Sequence, residues 1–283
     1  MANITLTNAG ELRGLLARHG FTFSKALGQN FIINPSVCPR MAELCGADGS
    51  TGVLEIGPGV GVLTVELAKR ARKVVCVELD SRLLPILEET LAEHDNVTLI
   101  HGDIMKLDAA ALIAEHFSGM DAAVCANLPY YITSPVIMRL LEEELPVKSL
   151  TVMVQKEAAR RICAAPGTRD VGAVSIAVRY YSEPRILFEV SRGSFMPPPN
   201  VDSSVIRLDV RGTPAVDCDR KKFFAVVRAC FSLRRKTVLN CLSAGLSIPK
   251  SDAAALLERA GIAQNARAEQ LSMEDFARIA RSV

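Results

Sequence analysis

The fold of this 283-residue chain is decided by residues 53–61, Val53-Leu54-Glu55-Ile56-Gly57-Pro58-Gly59-Val60-Gly61. An apolar run typical of a buried strand enters a glycine loop, and a helical pattern follows over residues 61–71. Glycines at such a junction let the backbone turn tightly and approach a ligand at the helix N-terminus. Val62 replaces the third glycine of a dinucleotide fingerprint, and no Lys-Ser or Lys-Thr pair ends the loop. Pyrophosphate and triphosphate sites are therefore disfavoured, and a tight turn without a ligand remains the alternative.

The alternation of strand and helix continues along the chain. Predicted strands lie at 53–56, 74–77, 97–100, 122–125 and 150–154, and predicted helices at 61–71, 81–93, 108–117, 134–144 and 156–163. Such alternation is typical of an α/β fold, a parallel sheet with helices on both faces. Two later apolar runs, 173–181 and 203–210, are expected to complete the sheet as a hairpin-like pair.

The strand pattern ends near residue 212. Helical patterns near 219–231, 233–243, 250–260 and 272–281 then predict a small all-helical C-terminal domain. Two short helices are expected before the first strand, the first of them beginning at the capping-box-like run Asn8-Ala9-Gly10-Glu11. We therefore expect an α/β domain with a helical lead-in over residues 1–211 and a helical domain over residues 212–283.

The net charge of +2 conceals an asymmetry between the two parts of the chain. Residues 31–150 carry 9 basic and 17 acidic side chains, whereas residues 151–283 carry 21 basic and 13 acidic ones. The densest basic region contains Arg220-Lys221-Lys222 and Arg234-Arg235-Lys236. This pattern favours a catalytic unit joined to a part that binds a polyanion, with solvated helix faces as the alternative.

Composition excludes several classes of protein. Apolar residues make up 49% and charged residues 23%, which excludes a disordered chain. The longest charge-free run, 122–138, is broken by two prolines and cannot form a membrane span, and the first twenty residues contain no apolar signal core. Eight cysteines without a C-x-x-C pair indicate reduced, mostly buried thiols in a cytosolic protein. The four histidines are scattered, so no metal site is expected.

Acidic residues follow two successive predicted strands. Glu78 ends the second strand, 21 positions after Gly57, where a carboxylate accepts hydrogen bonds from ribose hydroxyls. Asp103 follows the third strand, where it would accept a hydrogen bond from an adenine amino group. Together with the glycine loop, the pair predicts a nucleoside-shaped ligand without a phosphate, and S-adenosylmethionine fits that description.

The tetrapeptide Asn127-Leu128-Pro129-Tyr130 follows the fourth predicted strand. The lone pair of an exocyclic base amine is delocalised into the ring, so the amine is a poor nucleophile. If Asn127 Oδ1 and the Leu128 carbonyl accept its two hydrogens, the nitrogen can pyramidalise and its lone pair can attack a methyl sulfonium. Pro129 stiffens the turn, and Tyr130 offers a flat face for stacking an extracted base. A simple tight turn is the alternative for the tetrapeptide taken alone.

With these motifs the chain resembles the ribosomal RNA adenine dimethyltransferase family, whose bacterial small-subunit members dimethylate two adjacent adenosines near the 3′ end of 16S rRNA. Further likenesses are the lead-in Lys25-Ala26-Leu27-Gly28-Gln29-Asn30-Phe31-Ile32, the runs 155–157 and 195–203, and the triplet Arg234-Arg235-Lys236. The resemblance implies a Rossmann-like class I methyltransferase sheet, S-adenosylmethionine as cofactor, and a cytoplasmic monomer that acts on a 30S assembly particle.

The resemblance also assigns roles to single residues. The expected cofactor site consists of Asn30, Ile32, Gly57, Gly59, Glu78, Asp103 and Asn127. The expected catalytic residues are Asn127, Leu128, Pro129 and Tyr130, with Phe195 across from Tyr130 to help hold the base. The expected RNA-binding residues are Arg220, Lys221, Lys222, Arg234, Arg235 and Lys236. Two departures are Tyr131, where many relatives have Asn, and Leu233, where Gln is common.

Three other functions compete with this interpretation. The 23S rRNA adenine methylase that confers macrolide resistance shares the cofactor loop and a similar tetrapeptide, but the basic helical tail favours the small-subunit enzyme. A non-catalytic assembly factor on the same fold would not need the intact tetrapeptide. A DNA adenine methylase is less favoured, because no separate target-recognition domain is evident and many such enzymes carry Asp-Pro-Pro-Tyr.

Overall fold

A computed structural model describes residues 4–24, 27–233 and 235–283 of the chain. The described chain divides into two compact units, one containing the residues up to Ala159 together with Arg185–Val210 and the other containing Arg160–Pro184 and Arg211–Val283. The second unit therefore includes residues 160–184, which the sequence analysis placed in the first domain. The units are defined by compactness alone, and the functional domains 1–211 and 212–283 stay a prediction.

The helices and strands follow the predicted alternation closely. In chain order they are α1 (Ala9–Arg18), β1 (Phe31–Ile32), α2 (Val37–Leu44), β2 (Thr51–Ile56), α3 (Val62–Ala68), β3 (Lys73–Glu78), α4 (Leu84–Thr90), β4 (Val97–His101), α5 (Ala109–His116), β5 (Asp121–Asn127), α6 (Thr133–Glu142), β6 (Ser149–Gln155), α7 (Lys156–Cys163), α8 (Ala173–Tyr181), β7 (Ser182–Val190), β8 (Phe195–Met196), β9 (Ser203–Val210), α9 (Arg220–Phe231), α10 (Val238–Gly245), α11 (Lys250–Ala260) and α12 (Met273–Ser282).

Seven strands form the central sheet, in the order β4-β3-β2-β5-β6-β9-β7. Strands β2 to β6 run parallel to their neighbours, and β9 is antiparallel to β6. Every residue of β2 is buried, as expected for a central strand covered on both faces. The carboxyl ends of β2, β3, β4 and β5 consequently meet at one edge of the sheet, where ligands bind in open α/β folds.

The prediction of a strand over residues 173–181 was wrong, because this run forms helix α8. A short continuous apolar run cannot be assigned to a buried strand or a buried helix by periodicity alone. Six of its nine residues are buried, and the ring centroid of Tyr180 lies 4.9 Å from that of Phe223 in the same compact unit. Strand β9 lies between β6 and β7, and β7 follows helix α8 directly along the chain.

The helices α9 to α12 of the second unit pack around apolar side chains, of which Phe223 and Phe276 are the largest fully buried ones. The side chain of Asp219 caps α9 by accepting a hydrogen bond from the backbone N–H of Lys222 at 2.8 Å. All eight cysteines of the chain are free thiols, and six of them are buried. Within the described ranges, no helix combines the length and apolar character needed to cross a membrane.

Candidate active site

A single cleft at the carboxyl edge of the sheet brings together every residue of the predicted cofactor site. Its lining includes Asn30, Ile32, Gly57, Gly59, Glu78, Asp103 and Asn127, and also the predicted catalytic residues Leu128, Pro129 and Tyr130. The space between these residues is about 1060 Å³, a volume that includes the solvent at the open mouth of the cleft. Four strand ends and the lead-in to β1 therefore build one site from distant parts of the chain.

The glycine loop after β2 has a backbone that only glycine adopts readily. Gly57, Gly59 and Gly61 have φ values of 69°, 63° and 90°. A Cβ on Gly59 would lie 3.2 Å from ring atoms of Phe31, so a side chain there would also crowd the lead-in segment. The N–H of Gly59 donates a hydrogen bond to Glu78 Oε2 at 3.3 Å, which joins the loop to the end of β3.

The Glu78 carboxylate is held in place by backbone donors. Its Oε1 accepts a hydrogen bond from the N–H of Asp80 at 2.8 Å, and its Oε2 accepts the bond from Gly59. The residue is only 6% exposed, and this burial raises the pKa of Glu78 above its ordinary value, although the backbone donors oppose the shift. Each carboxylate oxygen has two lone pairs, so the group can still accept hydrogen bonds from two ligand hydroxyls.

Asp103 lies on the turn after β4, at the next position along the cleft. Its Oδ1 accepts a hydrogen bond from the N–H of Met105 at 2.9 Å, and its Oδ2 lies 3.8 Å from Lys106 Nζ. The side chain is 29% exposed, so part of the carboxylate faces the open cleft. Glu78 and Asp103 thus occupy neighbouring strand ends, as the sequence predicted.

Asn127 is the last residue of β5, and its amide group is oriented by the lead-in segment. Its Nδ2 donates a hydrogen bond to the Asn30 carbonyl at 3.3 Å. Asn30 is itself fixed, since its Nδ2 donates to the Gly28 carbonyl at 3.0 Å. The bond from Asn127 uses the nitrogen of the amide, so Oδ1 is the atom that can accept a hydrogen bond from a substrate.

The turn after Asn127 is rigid. The Pro129 carbonyl accepts hydrogen bonds from the N–H of Ile132 at 3.1 Å and from Thr133 Oγ1 at 3.2 Å. The hydroxyl of Tyr130 lies 2.7 Å from Ser203 Oγ, and burial raises the pKa of Tyr130. The phenol ring is therefore anchored to β9 by its hydroxyl and forms a fixed wall of the cleft.

Phe195, the predicted base-holding residue, is buried in a short strand. It lies in β8, pairs with Ile32 of β1, and is 3% exposed. It does not belong to the cleft lining in the described part of the chain. Its predicted place opposite Tyr130 stays a prediction.

The sequence analysis missed a hydrogen-bond network that holds the lead-in segment. Asp80 Oδ2 accepts a hydrogen bond from Gln29 Nε2 at 2.7 Å, although the two residues are 51 positions apart. Gln29 Oε1 in turn accepts the N–H of Ser24 at 2.9 Å, and Arg82 Nε donates to Asp80 Oδ1 at 2.8 Å. The only sequence signal was the acidic residue two positions after Glu78, and nothing in the sequence indicated its partner.

A second missed residue is Glu55, which lies on β2 beneath the glycine loop and contributes to the cleft lining. It is 1% exposed, and burial raises its pKa to about 7. Thr64 and Cys76, whose Sγ lies 3.4 Å from Glu55 Oε2, donate hydrogen bonds that oppose the shift, whereas the charge of Glu78 adds to it. A carboxyl group that titrates near neutrality therefore lies in the core below the glycine loop.

The predicted RNA-binding residues lie in the second unit. Arg220, Lys221 and Lys222 form the exposed first turn of α9, and Arg235 and Lys236 are exposed in the turn between α9 and α10. Arg234, Lys25 and Ala26 lie outside the described residues. Among the residues that the structure describes, no group of three or more His, Cys, Asp or Glu side chains is arranged to hold a metal ion.

Comparison with known proteins shows similarity along nearly the whole chain. The profile of the family described as Ribosomal RNA adenine dimethylase matches residues 20–283. Ribosomal RNA small subunit methyltransferase A of Geobacillus thermodenitrificans is 48% identical, with 98% of this chain and 97% of the relative covered. The protein of the same name from Bacillus cytotoxicus is 49% identical, with the same coverage of 98% and 97%.

Two solved structures share the fold. A dimethyladenosine transferase from Plasmodium falciparum has a TM-score of 0.76 at 27% identity, covering 88% of this chain and 95% of its own. The 23S rRNA methyltransferase ErmE has a TM-score of 0.70 at 28% identity, covering 89% and 99%. The predicted fold class, an α/β class I methyltransferase sheet with a helical C-terminal region, is therefore confirmed.

Proposed function

The chain belongs to the ribosomal RNA adenine dimethylase family, and from that premise we propose that it transfers methyl groups from S-adenosylmethionine to the N6 amines of two adjacent adenosines near the 3′ end of 16S rRNA. The observation that carries this proposal is the single cleft in which two strand-end carboxylates, a glycine loop and the Asn127 tetrapeptide lie together. The products are dimethyladenosines and, for each methyl group transferred, one S-adenosylhomocysteine and one proton.

The residues of the cleft fit S-adenosylmethionine. Glu78 offers a fixed carboxylate for the ribose hydroxyls, and Asp103 offers an acceptor for the adenine amino group. Asn30 and Ile32 lie on the lead-in side of the cleft, where the family resemblance places the methionine part. When bound, S-adenosylmethionine supplies an electrophilic methyl group.

The side chain of Asn127 prepares the nucleophile. The target amine donates one hydrogen to Asn127 Oδ1 and the other to the Leu128 carbonyl, so its lone pair becomes localised on nitrogen. The bond from Asn127 Nδ2 to the Asn30 carbonyl fixes the amide before the RNA arrives, and such preorganised groups stabilise charge as it develops. Tyr130 forms the wall on which the extracted base stacks.

Similarity favours the small subunit over the large subunit as the source of the RNA. The small-subunit methyltransferases are 48% and 49% identical over nearly the full chain, compared with 28% for the 23S enzyme. We propose that the chain acts as a monomer on a 30S assembly particle in the cytoplasm, where ribosomal subunits are assembled. A role in biogenesis of the small subunit follows from that substrate.

One experiment separates the possible RNA targets. Cells lacking this protein should yield 16S rRNA without dimethyladenosine at two adjacent positions near its 3′ end, as read by mass spectrometry. Purified protein with S-adenosylmethionine should restore both modifications on small subunits from those cells. Loss of methylation in 23S rRNA instead would contradict the proposal, and unchanged methylation of both RNAs would indicate a non-catalytic role.

Basic residues between α9 and α10 are expected to determine RNA affinity rather than the rate of transfer. Replacing Arg234, Arg235 and Lys236 with Ala should weaken binding to small-subunit RNA and lower the slope of log K against log salt by about 2 to 3. Filter binding at several salt concentrations measures this slope. Lys250→Ala combined with Arg259→Ala, on α11, serves as the control for charge removal in the same unit. A parental slope in the triple variant would show that the triplet is only a solvated surface.

A further inference from the structure

Tyr131 stands out from the other exposed apolar side chains by its position. It is 57% exposed, more than any other large hydrophobic residue in the described ranges, and it also contributes to the lining of the cleft. Exposure of a single aromatic side chain is ordinary and carries no meaning alone. Here, however, the exposed ring lies directly beside the residues proposed to receive the target base.

The ring of Tyr131 packs against the lead-in segment. Its Cδ1 and Cε1 atoms lie 3.5 Å from the point where a Cβ on Gly28 would stand, so the ring packs against the bare backbone of that glycine. The backbone that carries it is fixed by the two hydrogen bonds to the Pro129 carbonyl. Tyr131 is therefore a positioned ring at the mouth of the site.

The two adjacent tyrosines consequently have different surroundings. Tyr130 is partly buried, its hydroxyl is tied to Ser203, and the residue lines the cleft. Tyr131 follows it in the chain and keeps more than half of its surface in water. Two consecutive residues thus carry aromatic rings, one inside the site and one at its entrance.

We infer that Tyr131 stacks on the base of the nucleotide next to the one being methylated, an inference that rests on the proposed function. When an adenosine enters the cleft it leaves its own stack, and the base of its covalent neighbour loses a stacking partner on that side. An exposed aromatic ring at the entrance replaces that partner, and such stacking is tolerant of base identity. In the proposed substrate the neighbour is the second adenosine of the pair.

The inference predicts a specific kinetic effect. Tyr131→Leu retains an apolar side chain to pack on Gly28 but removes the aromatic face, whereas Tyr131→Phe retains the face and removes only the hydroxyl. The Leu variant should raise the KM for unmethylated small subunits about 5- to 100-fold, with kcat at saturating RNA near the parental value. The Phe variant should behave as the parent.

Combining Tyr131→Leu with the removal of the neighbouring base from the RNA tests the proposed contact between the ring and that base. Small subunits with an abasic nucleotide beside the target should raise the KM of the parent by about as much as Tyr131→Leu does. If ring and base are partners, the Leu variant should show little further increase on the abasic substrate. The inference would be overturned if the increases in KM caused by Tyr131→Leu and by the abasic nucleotide multiplied when combined. It would also be overturned if Tyr131→Leu had the parental KM.

Cofactor affinity is the remaining control. The affinity for S-adenosylhomocysteine, measured by calorimetry, should be the same in the parent and in Tyr131→Leu. A weakened affinity with an unchanged KM for RNA would assign Tyr131 to the cofactor wall and overturn the inference. Failure of the parent to methylate small subunits would instead contradict the proposed function, so the two failures are distinguishable.

Discussion

Asn127→Ala is expected to lower the rate of methyl transfer about a hundredfold to a thousandfold while leaving RNA binding nearly intact. The side-chain oxygen is the only acceptor of the tetrapeptide pair that a substitution can delete, because its partner is the Leu128 carbonyl. Its bond to the target amine strengthens as positive charge develops on nitrogen, so its contribution lies mainly in the transition state. Single-turnover reaction followed by mass spectrometry of the RNA measures the loss.

In the proposed mechanism the second methyl transfer uses the same acceptor atom, Asn127 Oδ1. A monomethylated amine has one hydrogen fewer, so it makes a single acceptor bond and needs space for the first methyl group. Asn127→Ala should therefore impair both steps. Affinity for S-adenosylhomocysteine must be measured in parallel, since Asn127 also lies at the predicted cofactor site. Dimethyladenine formed at the parental rate would show that the chemistry does not depend on Asn127.

Glu55→Gln is expected to stabilise the folded protein at alkaline pH. The ordinary pKa of this carboxyl is 4.5, and burial raises it to about 7 in the folded state. Between these values the folded protein holds a proton that the unfolded chain releases, so stability falls as pH rises towards and through 7. Above pH 7 the free energy of unfolding is lower than it is below pH 4.5 by about 3 kcal/mol from this group. Gln has the same shape and no proton to lose.

Urea unfolding at pH 5 and pH 8 measures this effect. The parent should lose more stability between the two pH values than Glu55→Gln, by up to about 3 kcal/mol. Glu78 has a pKa shifted in the same direction, so some pH dependence should remain in the variant. Glu43→Gln, a change at an exposed position of α2, is the matched control and should retain the parental profile. Equal losses in the parent and in Glu55→Gln would contradict the raised pKa.

The residues at the strand ends could be predicted from the sequence, because a parallel sheet brings the ends of its strands to one edge. The order of short apolar runs located the ends of β3 and β5, and so placed Glu78 and Asn127 in the same site. Helix α8 could not be predicted from the sequence, because its apolar run contains no clear period. The hydrogen bond between Gln29 and Asp80 could not be predicted either, since a pairing across 51 residues depends on packing and leaves no local pattern in the sequence.

Burial of a charged group is equally difficult to read from a sequence. Glu55 belongs to the run of residues that decides the fold, yet only its place on the central strand shows that its side chain is buried. Its immediate neighbours, Leu54 and Ile56, are what any buried strand would carry. The sequence therefore indicated the position of Glu55 and not its altered acidity.

We propose that the hydrogen bond between Asn127 and Asn30 couples binding of the methyl donor to binding of the adenosine. A ligand that contacts the lead-in segment stabilises the carbonyl that orients the Asn127 amide, and therefore favours the acceptor geometry before RNA arrives. Free-energy coupling is reciprocal, so an adenosine amine seated on Asn127 strengthens the hold on that ligand by the same factor. The proposed coupling would therefore disfavour loss of the methyl donor once an adenosine has entered the site.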